Sequence, residues 1–442
     1  MTYAIQARWI VPIERPPIQG GIVSVADGRI VAVGENVSGR PPTDLGDVAL
    51  LPGLVNAHTH LEFSLLDRPL GTPRMPFADW IAEVVAWRRS LAEQFAGDAP
   101  GMPFADWIAQ VVAWRRGLAE QFAGDTPGMH VYRRRAILAG LEQSKAAGVV
   151  AVGEIAMPGC PLDAYWQVDG VSAVTLLELL GRAEERVQPL MDLAESHISA
   201  ARAAANVYPG LSPHATYSVH PQLLRRACAL SVAEQFPVAM HVAESRQELK
   251  LLANHVGPLV DLLAKLGAWI PSAMPTGARP LDYLETLQNA HRALVIHGNY
   301  LTTEEIEFSG ARREQMSVVF CPRTHSYFGH DPYPLAQMLR AGVRVAVGTD
   351  SRASNPDLNL LSELRFVATH HPQVPPDKIV EMGTQAAAHA LGIEANFGSI
   401  TVGRRAQFVA FPIMERRRDP CEQVLRNEIP PLPWPPIQAP SS

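Results

Sequence analysis

Along the first fifty residues apolar and polar positions alternate in short runs, "YAIQARWIV" and "GGIVSVADGRIVAVGE". A period of two is the strand period and Asp27-Gly28 is a hairpin turn signal, so this stretch predicts an antiparallel sheet. From Leu54 the rhythm changes to short β-branched runs, each followed by a helical stretch, which is the mark of a parallel sheet built from βα units. Eight such runs occur: "GLVNAH", "GVVAVGEI", "AVTLLELL", "VYPGLSPH", "FPVAMH", "ALVIHG", "SVVFC" and "VRVAVGTD". They predict an α/β fold, a closed (β/α)8 TIM-type barrel. Strand patterning returns in "GSITVGRRAQFVAF", 398–411, before the proline-rich "IPPLPWPPIQAPSS". Prolines offer no donors to a sheet, so that tail is expected to be an extended strap or a frayed end. The expected division is a barrel over 51–394 and a small β-sandwich domain built from both termini, 1–50 and 395–442.

A tandem repeat interrupts the first βα unit. Residues 75–101 recur as 102–128, differing only at Glu83/Gln110, Ser90/Gly117 and Ala99/Thr126. Phe77, Trp80, Ile81, Val84, Val85 and Leu91 recur at helical spacing, and Gly97 with Pro100-Gly101 closes the unit, so each copy reads as an amphipathic helix and a turn. Two copies are too few for a solenoid. The plain reading is a tandem duplication that adds a helix to the loop after the first strand; the sharper one makes that helix part of a lid or an oligomer contact at the barrel mouth.

Composition acts mainly by exclusion. A chain of 442 residues with 47% hydrophobic content can bury a sizeable core, and a net charge of −6 with no basic stripe gives no footprint for nucleic acid. No stretch of about 18 apolar residues appears, and the start "MTYAIQARWIVPIERPP" lacks the unbroken apolar core of a signal peptide, so no membrane partner and a cytoplasmic location are expected. Cys160, Cys228, Cys321 and Cys421 are scattered without CxxC spacing and read as reduced, structural thiols. The tryptophan-bearing repeat makes a homodimer contact an expectation to test.

Chemistry enters at the ends of the runs. Barrel strands deliver functional side chains at their carboxyl ends. His58 and His60 close the first run, His214 the fourth, His241 the fifth, His297 the sixth and Asp350 the eighth. In a strand, residues two apart share a face, so "HTH" aims two imidazoles at one point. A single histidine at a strand end is ordinarily a core or loop residue. Several of them converging with an aspartate point to a metal site.

In this order, "HTH", "HVAES", "HGNYL" and "GTDSRASN" resemble the amidohydrolase superfamily in its mononuclear deaminase branch, over nearly the whole chain. The resemblance implies one divalent ion, zinc or iron, held by His58, His60, His241 and Asp350, with Glu244, His297 and Asp350 in catalytic roles. Imidazole and carboxylate suit both metals. Such an ion lowers the pKa of a water from about 15.7 towards roughly 7. Attack on a carbon bearing an exocyclic amine then requires a proton for the ring nitrogen and one for departing ammonia, which Glu244 is placed to move. The alternative for Glu244 is a first-turn carboxylate of the helix begun by "ESRQELKLL", and for Asp350 a helix cap. A binuclear relative would be expected to carry a lysine after the fourth strand; "LSPHATYS" has His214 instead, with Tyr217 nearby, both candidate substrate contacts.

The form "CPRTHSYFGH" is most similar to the aminodeoxyfutalosine deaminases, which implies a small-molecule substrate joining a 6-aminopurine nucleoside to a benzoate. A carboxylate calls for a guanidinium, and Arg323 is the first candidate, Arg352 the second, with loop bracing as the alternative for either. Glu62 and Glu178 are candidate readers of polar substrate atoms. Gln407 stands where relatives are expected to have aspartate. Competing readings are deamination of adenosine, S-adenosylhomocysteine or guanine, triazine dechlorination, and a catalytically silent scaffold of the same fold.

Overall fold

The computed structural model describes residues 2–96, 127–415 and 418–432. Eight parallel strands run in sequence order: β1 Leu54–His60, β2 Val149–Ala156, β3 Ser172–Leu179, β4 Val207–Pro213, β5 Pro237–Val242, β6 Arg292–His297, β7 Met316–Phe320, and β8, which comes in two pieces, Arg344–Val347 and Asp350–Ser351. The first piece of β8 pairs with β7 and the second with β1, through Asp350 to Thr59 and Ser351 to His60. The sheet therefore closes on itself at the histidine pair. All eight strands fall on the runs read from the sequence.

Alternate residues fill the barrel. Val174 and Leu176, Leu294 and Ile296, Ala239, Val319 and Ala346 form an interior cluster with Ala387, Ala388 and Leu391 around the helix Gln385–Ala390. A larger apolar layer lies between the strands and the outer helices, with Leu223, Leu224, Ala227, Val238 and Met240 among its members. Full burial of each such aliphatic side chain stabilises the fold by about 1.5–3 kcal/mol.

The terminal region departs from one antiparallel sheet. It forms two four-stranded sheets, one ordered Arg29–Val33, Ile22–Ala26, Thr2–Gln6, Thr43–Asp44 and the other Phe408–Pro412, Val48–Pro52, Trp9–Ile10, Ile18–Gln19. Each contains one parallel pair, because the chain returns to both sheets after Gly34 instead of meandering within one. Ile5, Ile10, Val23, Val25, Leu50, Ile400 and Phe408 fill the layer between them. The Asp27-Gly28 hairpin is present, with both residues at positive φ (50° and 74°), as a two-residue turn between twisted strands requires. The expected strand over 398–411 is confined to Phe408–Pro412. The four cysteines are free.

The first copy of the repeat is helix α1, Phe77–Ala96, and the chain resumes in α2, Pro127–Ala146. The helix and turn expected of the second copy fall almost wholly outside the described residues, as does the turn at 97–101 and the proline tail from 433 onward. No helix among the described residues is long and apolar enough to cross a membrane.

Candidate active site

The first strand gains one residue just before the site. Asn56 pairs with Val152 and Thr59 with Glu154, so three steps along β1 oppose two along β2. Such a bulge re-aims the side chains that follow it. Val55 and Ala57 belong to the interior cluster, yet His58 and His60, of the opposite parity, also turn inward. Gly348, in the break of β8, makes the adjoining contact: a Cβ there would come within 2.8 Å of both His58 Cβ and His58 O. Three site residues or neighbours, Ala243, His297 and Asp350, hold positive φ (53°, 68° and 56°). Non-glycine residues keep that conformation at a cost, and it clusters where a side chain must be aimed.

The aimed groups converge. Ligand atoms of His58, His60 and Asp350, and of His58, His241 and His297, lie within 4.8 Å of one another in each set. His58 Nε2 and His60 Nε2 are each 3.7 Å from Asp350 Oδ1, close to the edge of about 3.3 Å expected between ligands of a tetrahedral zinc site. His58 is fully buried, and neither of its ring nitrogens has a hydrogen-bond partner. A buried imidazole without partners is costly, and a cation between these groups supplies the missing interaction. The donor set of imidazoles and a carboxylate fits a divalent zinc or iron. Burial holds His60, His241 and His297 well below the usual histidine pKa, so they are neutral donors. Burial alone would raise Asp350, but the close imidazoles of His58, His297 and His60 bring it below the ordinary carboxylate range.

A surrounding layer fixes each group. His241 Nδ1 lies 2.8 Å from the His214 carbonyl, so it donates there and leaves Nε2 for the site. Asn56 Oδ1 accepts from the backbone N–H of His58 and Thr349, and Asn56 Nδ2 donates to Thr349 Oγ1. Thr59 Oγ1 donates to the Asp350 carbonyl and Ser354 Oγ to Asp350 Oδ2. Tyr333 donates to the His297 carbonyl.

Glu244 faces the cluster, with Oε1 3.3 Å from His297 Nε2. Burial, then the charges of Asp350 and Glu248, push its pKa well above the ordinary value, which favours its acid form. It does not cap the following helix: Ser245 does, accepting from Glu248 N–H. Nor does Asp350 cap one, since it lies in β8. Glu248 accepts the backbone N–H groups of Ala243 and Glu244 and the Thr216 hydroxyl, which braces the turn that presents Glu244; Asn299 Nδ2 donates to the Glu244 carbonyl.

The mouth is lined by less regular elements. Helix α1 crosses it. Its Phe77 and Trp80 pack on Phe328, Ala78 N–H donates to Gln247 and Trp80 Nε1 to the Ala353 carbonyl, while farther along Trp87 meets Phe63 and Arg88 pairs with Glu62. Glu178 is buried at the end of β3, its Oε1 3.9 Å from His214 Nε2. Tyr217 is buried 6.0 Å, ring to ring, from His214. Arg323 does not offer a free guanidinium: Nε donates to Glu363 and both Nη atoms to Asp357, so it braces the β7 and β8 loops. Arg352 donates to the Asp67 carbonyl at the surface. Gln407 donates to the Gly170 carbonyl, away from the site. The sequence reading missed Glu154, buried near the end of β2 and accepting from Leu61 N–H just after "HTH". Its place near a strand end was the available signal. Arg88 and Glu248, both on helices, carried none.

A closed barrel with neutral imidazoles and a carboxylate at its carboxyl face defines a metal-dependent hydrolase scaffold. The chain belongs to the amidohydrolase family, whose profile matches residues 49–425. It is 28% identical over 444 aligned positions to the 5-methylthioadenosine/S-adenosylhomocysteine deaminase of Moorella thermoacetica, covering 95% of this chain and 87% of that one. It is 26% identical over 388 positions to the aminodeoxyfutalosine deaminase of Deinococcus radiodurans, covering 83% and 81%. The fold is similar to that of Helicobacter pylori aminofutalosine deaminase, with a TM-score of 0.76, 20% identity and 98% of both chains covered.

Proposed function

We propose that the protein is a hydrolytic deaminase of an aminopurine nucleoside carrying a 5′ substituent, with aminodeoxyfutalosine as the leading substrate. The observation that carries this reading is Glu244, with Oε1 3.3 Å from His297 Nε2, set beside a cluster of buried imidazoles and Asp350. The names of the relatives support the substrate class, and the same likeness favours 5′-methylthioadenosine or S-adenosylhomocysteine as the second reading.

His58, His60, His241 and Asp350 would hold one zinc, or iron in its place. When bound, that ion supplies an activated water at neutral pH and Lewis-acid polarisation. Glu244 gives its proton to the ring nitrogen beside the amine-bearing carbon, which makes that carbon electrophilic. It then takes up the two protons the attacking water loses, passing one to the departing ammonia and keeping the other, which restores its acid form. His297, neutral and held by Tyr333 through its backbone, orients the attacking oxygen by hydrogen bonding. His214, Tyr217 and Glu178 face the nucleoside. Helix α1 covers the mouth and limits bulk water.

The test is ammonia release from aminodeoxyfutalosine, S-adenosylhomocysteine, 5′-methylthioadenosine, adenosine and guanine by zinc-loaded protein. Turnover led by aminodeoxyfutalosine is expected. Chloride release from a triazine with no ammonia from any nucleoside would replace this reading with a dechlorinase.

A further inference from the structure

The arginine expected to meet a substrate carboxylate, Arg323, is committed to Glu363 and Asp357. Resting on the deaminase reading above, we propose that Arg88, carried into the mouth by helix α1, selects nucleosides whose 5′ substituent ends in a carboxylate.

Three observations converge on Arg88. Its hydrogen bonds leave from Nη2 alone, to Glu62 and, at 3.6 Å, to Met157 Sδ. Its Nε–H is buried with no partner among the described residues, while the side chain as a whole is 34% exposed, so the guanidinium keeps donor capacity beyond its bond to Glu62. Its guanidinium lies over the Phe63 ring, 5.5 Å from the centroid, beside Glu62 on the turn that follows β1.

Glu62 holds Arg88 in place without satisfying it. A guanidinium offers five donors in a fixed fork, and one carboxylate on Nη2 leaves Nε–H for a second acceptor. The other arginines of this face are engaged elsewhere at one nitrogen or more. Arg352 and Arg246 lie on surface partners. Arg182 is buried against Trp269, with Nη1 donating to the Tyr217 carbonyl and Nε and Nη2 without a partner among the described residues, which makes it the competing guanidinium. A neutral 5′ substituent gains nothing from Arg88, whereas a carboxylate gains a charge-assisted hydrogen bond in a partly dry site.

The test compares two pairs of substrates on the zinc-loaded protein: aminodeoxyfutalosine and S-adenosylhomocysteine, which carry a carboxylate, against 5′-methylthioadenosine and adenosine, which do not. The readout is the ratio of kcat/KM between the pairs. In Arg88→Gln the ratio should fall roughly 30-fold, mostly through KM. Arg88→Lys, which keeps the charge and guards against an unseated helix, should recover part of it. An unchanged ratio in Arg88→Gln, or an equal fall on all four substrates with no recovery by lysine, overturns the proposal; so does a selective loss in Arg182→Gln instead. If the wild-type protein deaminates none of the four, the deaminase reading fails by itself. Calorimetric binding of S-adenosylhomocysteine and 5′-methylthioadenosine to wild type and Arg88→Gln then decides Arg88 alone, and equal affinities, or no binding, overturn it.

Discussion

The two sides of the pocket are built differently. On the strand side, His58, Asp350, His241 and His297 are each tied through their own backbone or the ring's second nitrogen to the barrel, by Asn56, Thr59, the His214 carbonyl and Tyr333, and His60 is held by the strand pairing with Ser351. On the mouth side, Glu62, Arg88, Trp80 and Trp87 sit on a short turn and a helix inserted after β1, held by side-chain packing and a few hydrogen bonds. The first arrangement fixes atoms to within fractions of an ångström, as ligation and proton transfer demand. The second can be exchanged without disturbing the barrel, which is where selectivity between related nucleosides belongs. Damage on the strand side should therefore abolish chemistry, and damage on the mouth side should change which molecules enter.

The largest effect is expected from His58→Ala. Loss of one imidazole from a buried donor set should leave less than a tenth of the wild-type metal per chain and lower kcat by roughly a thousandfold or more. Metal analysis after gel filtration, with turnover on the same sample, checks it. Full metal content with near-normal turnover would show that the cluster is not the chemical centre. Next comes Glu244→Gln, which keeps shape and removes the proton. Its metal content should stay at the wild-type level while kcat falls on the order of 10²–10⁴-fold. A loss of metal together with activity would recast Glu244 as a ligand.

Gly348→Ala should act more moderately and on the strand side. The added methyl meets His58 Cβ and backbone at 2.8 Å, so β1 or β8 must give by a few tenths of an ångström. Overpacking of this kind costs about 1–3 kcal/mol, and since the displaced group is an aimed imidazole, metal affinity should fall about tenfold or more. Titration of apo protein with zinc checks it; unchanged affinity would mean that the closure at β8 is not what sets His58.

The same division explains what the chain displayed before its structure was known. All eight strands and the convergence of five side chains were legible because period, strand ends and residue type coincide at His58, His60, His241, His297 and Asp350. The bulge in β1 was not, since an extra residue is defined only by its partner strand. Nor was the pairing of Arg88 with Glu62, 26 positions away and on a helix whose apolar stripe dominates its pattern. Arg323 misled for a related reason: an arginine near a strand end looks alike whether it meets a ligand or, as here, Glu363 from the helix Leu360–His370. The terminal sandwich was legible from strand patterning at both ends, but its parallel pairing between Trp9–Ile10 and Val48–Pro52 was not, because such pairing leaves no local mark.

The smallest effect, and the finest test of the contrast, is Trp80→Ala. Trp80 stacks on Phe77 with centroids 6.0 Å apart, meets the Phe328 edge at 5.1 Å, and donates from Nε1 to the Ala353 carbonyl. Two aromatic contacts and one hydrogen bond contribute about 1.5–4 kcal/mol to the seating of α1 on the mouth. The barrel does not depend on that seating, so metal content should be unchanged. If the seated helix is the binding-competent state, apparent affinity falls with the fraction seated, and KM should rise roughly threefold to tenfold while kcat stays within about threefold. Global stability should change less than local protection: amide exchange within 77–88 should quicken while β1 and β5 keep theirs. A fall in metal content, or faster exchange in β1, would break the contrast by showing that the inserted helix also supports the strand side. An unaltered KM with a visibly loosened helix would leave α1 a bystander to binding and return the selectivity question to His214, Tyr217 and Glu178 on the loops that follow β4 and β3.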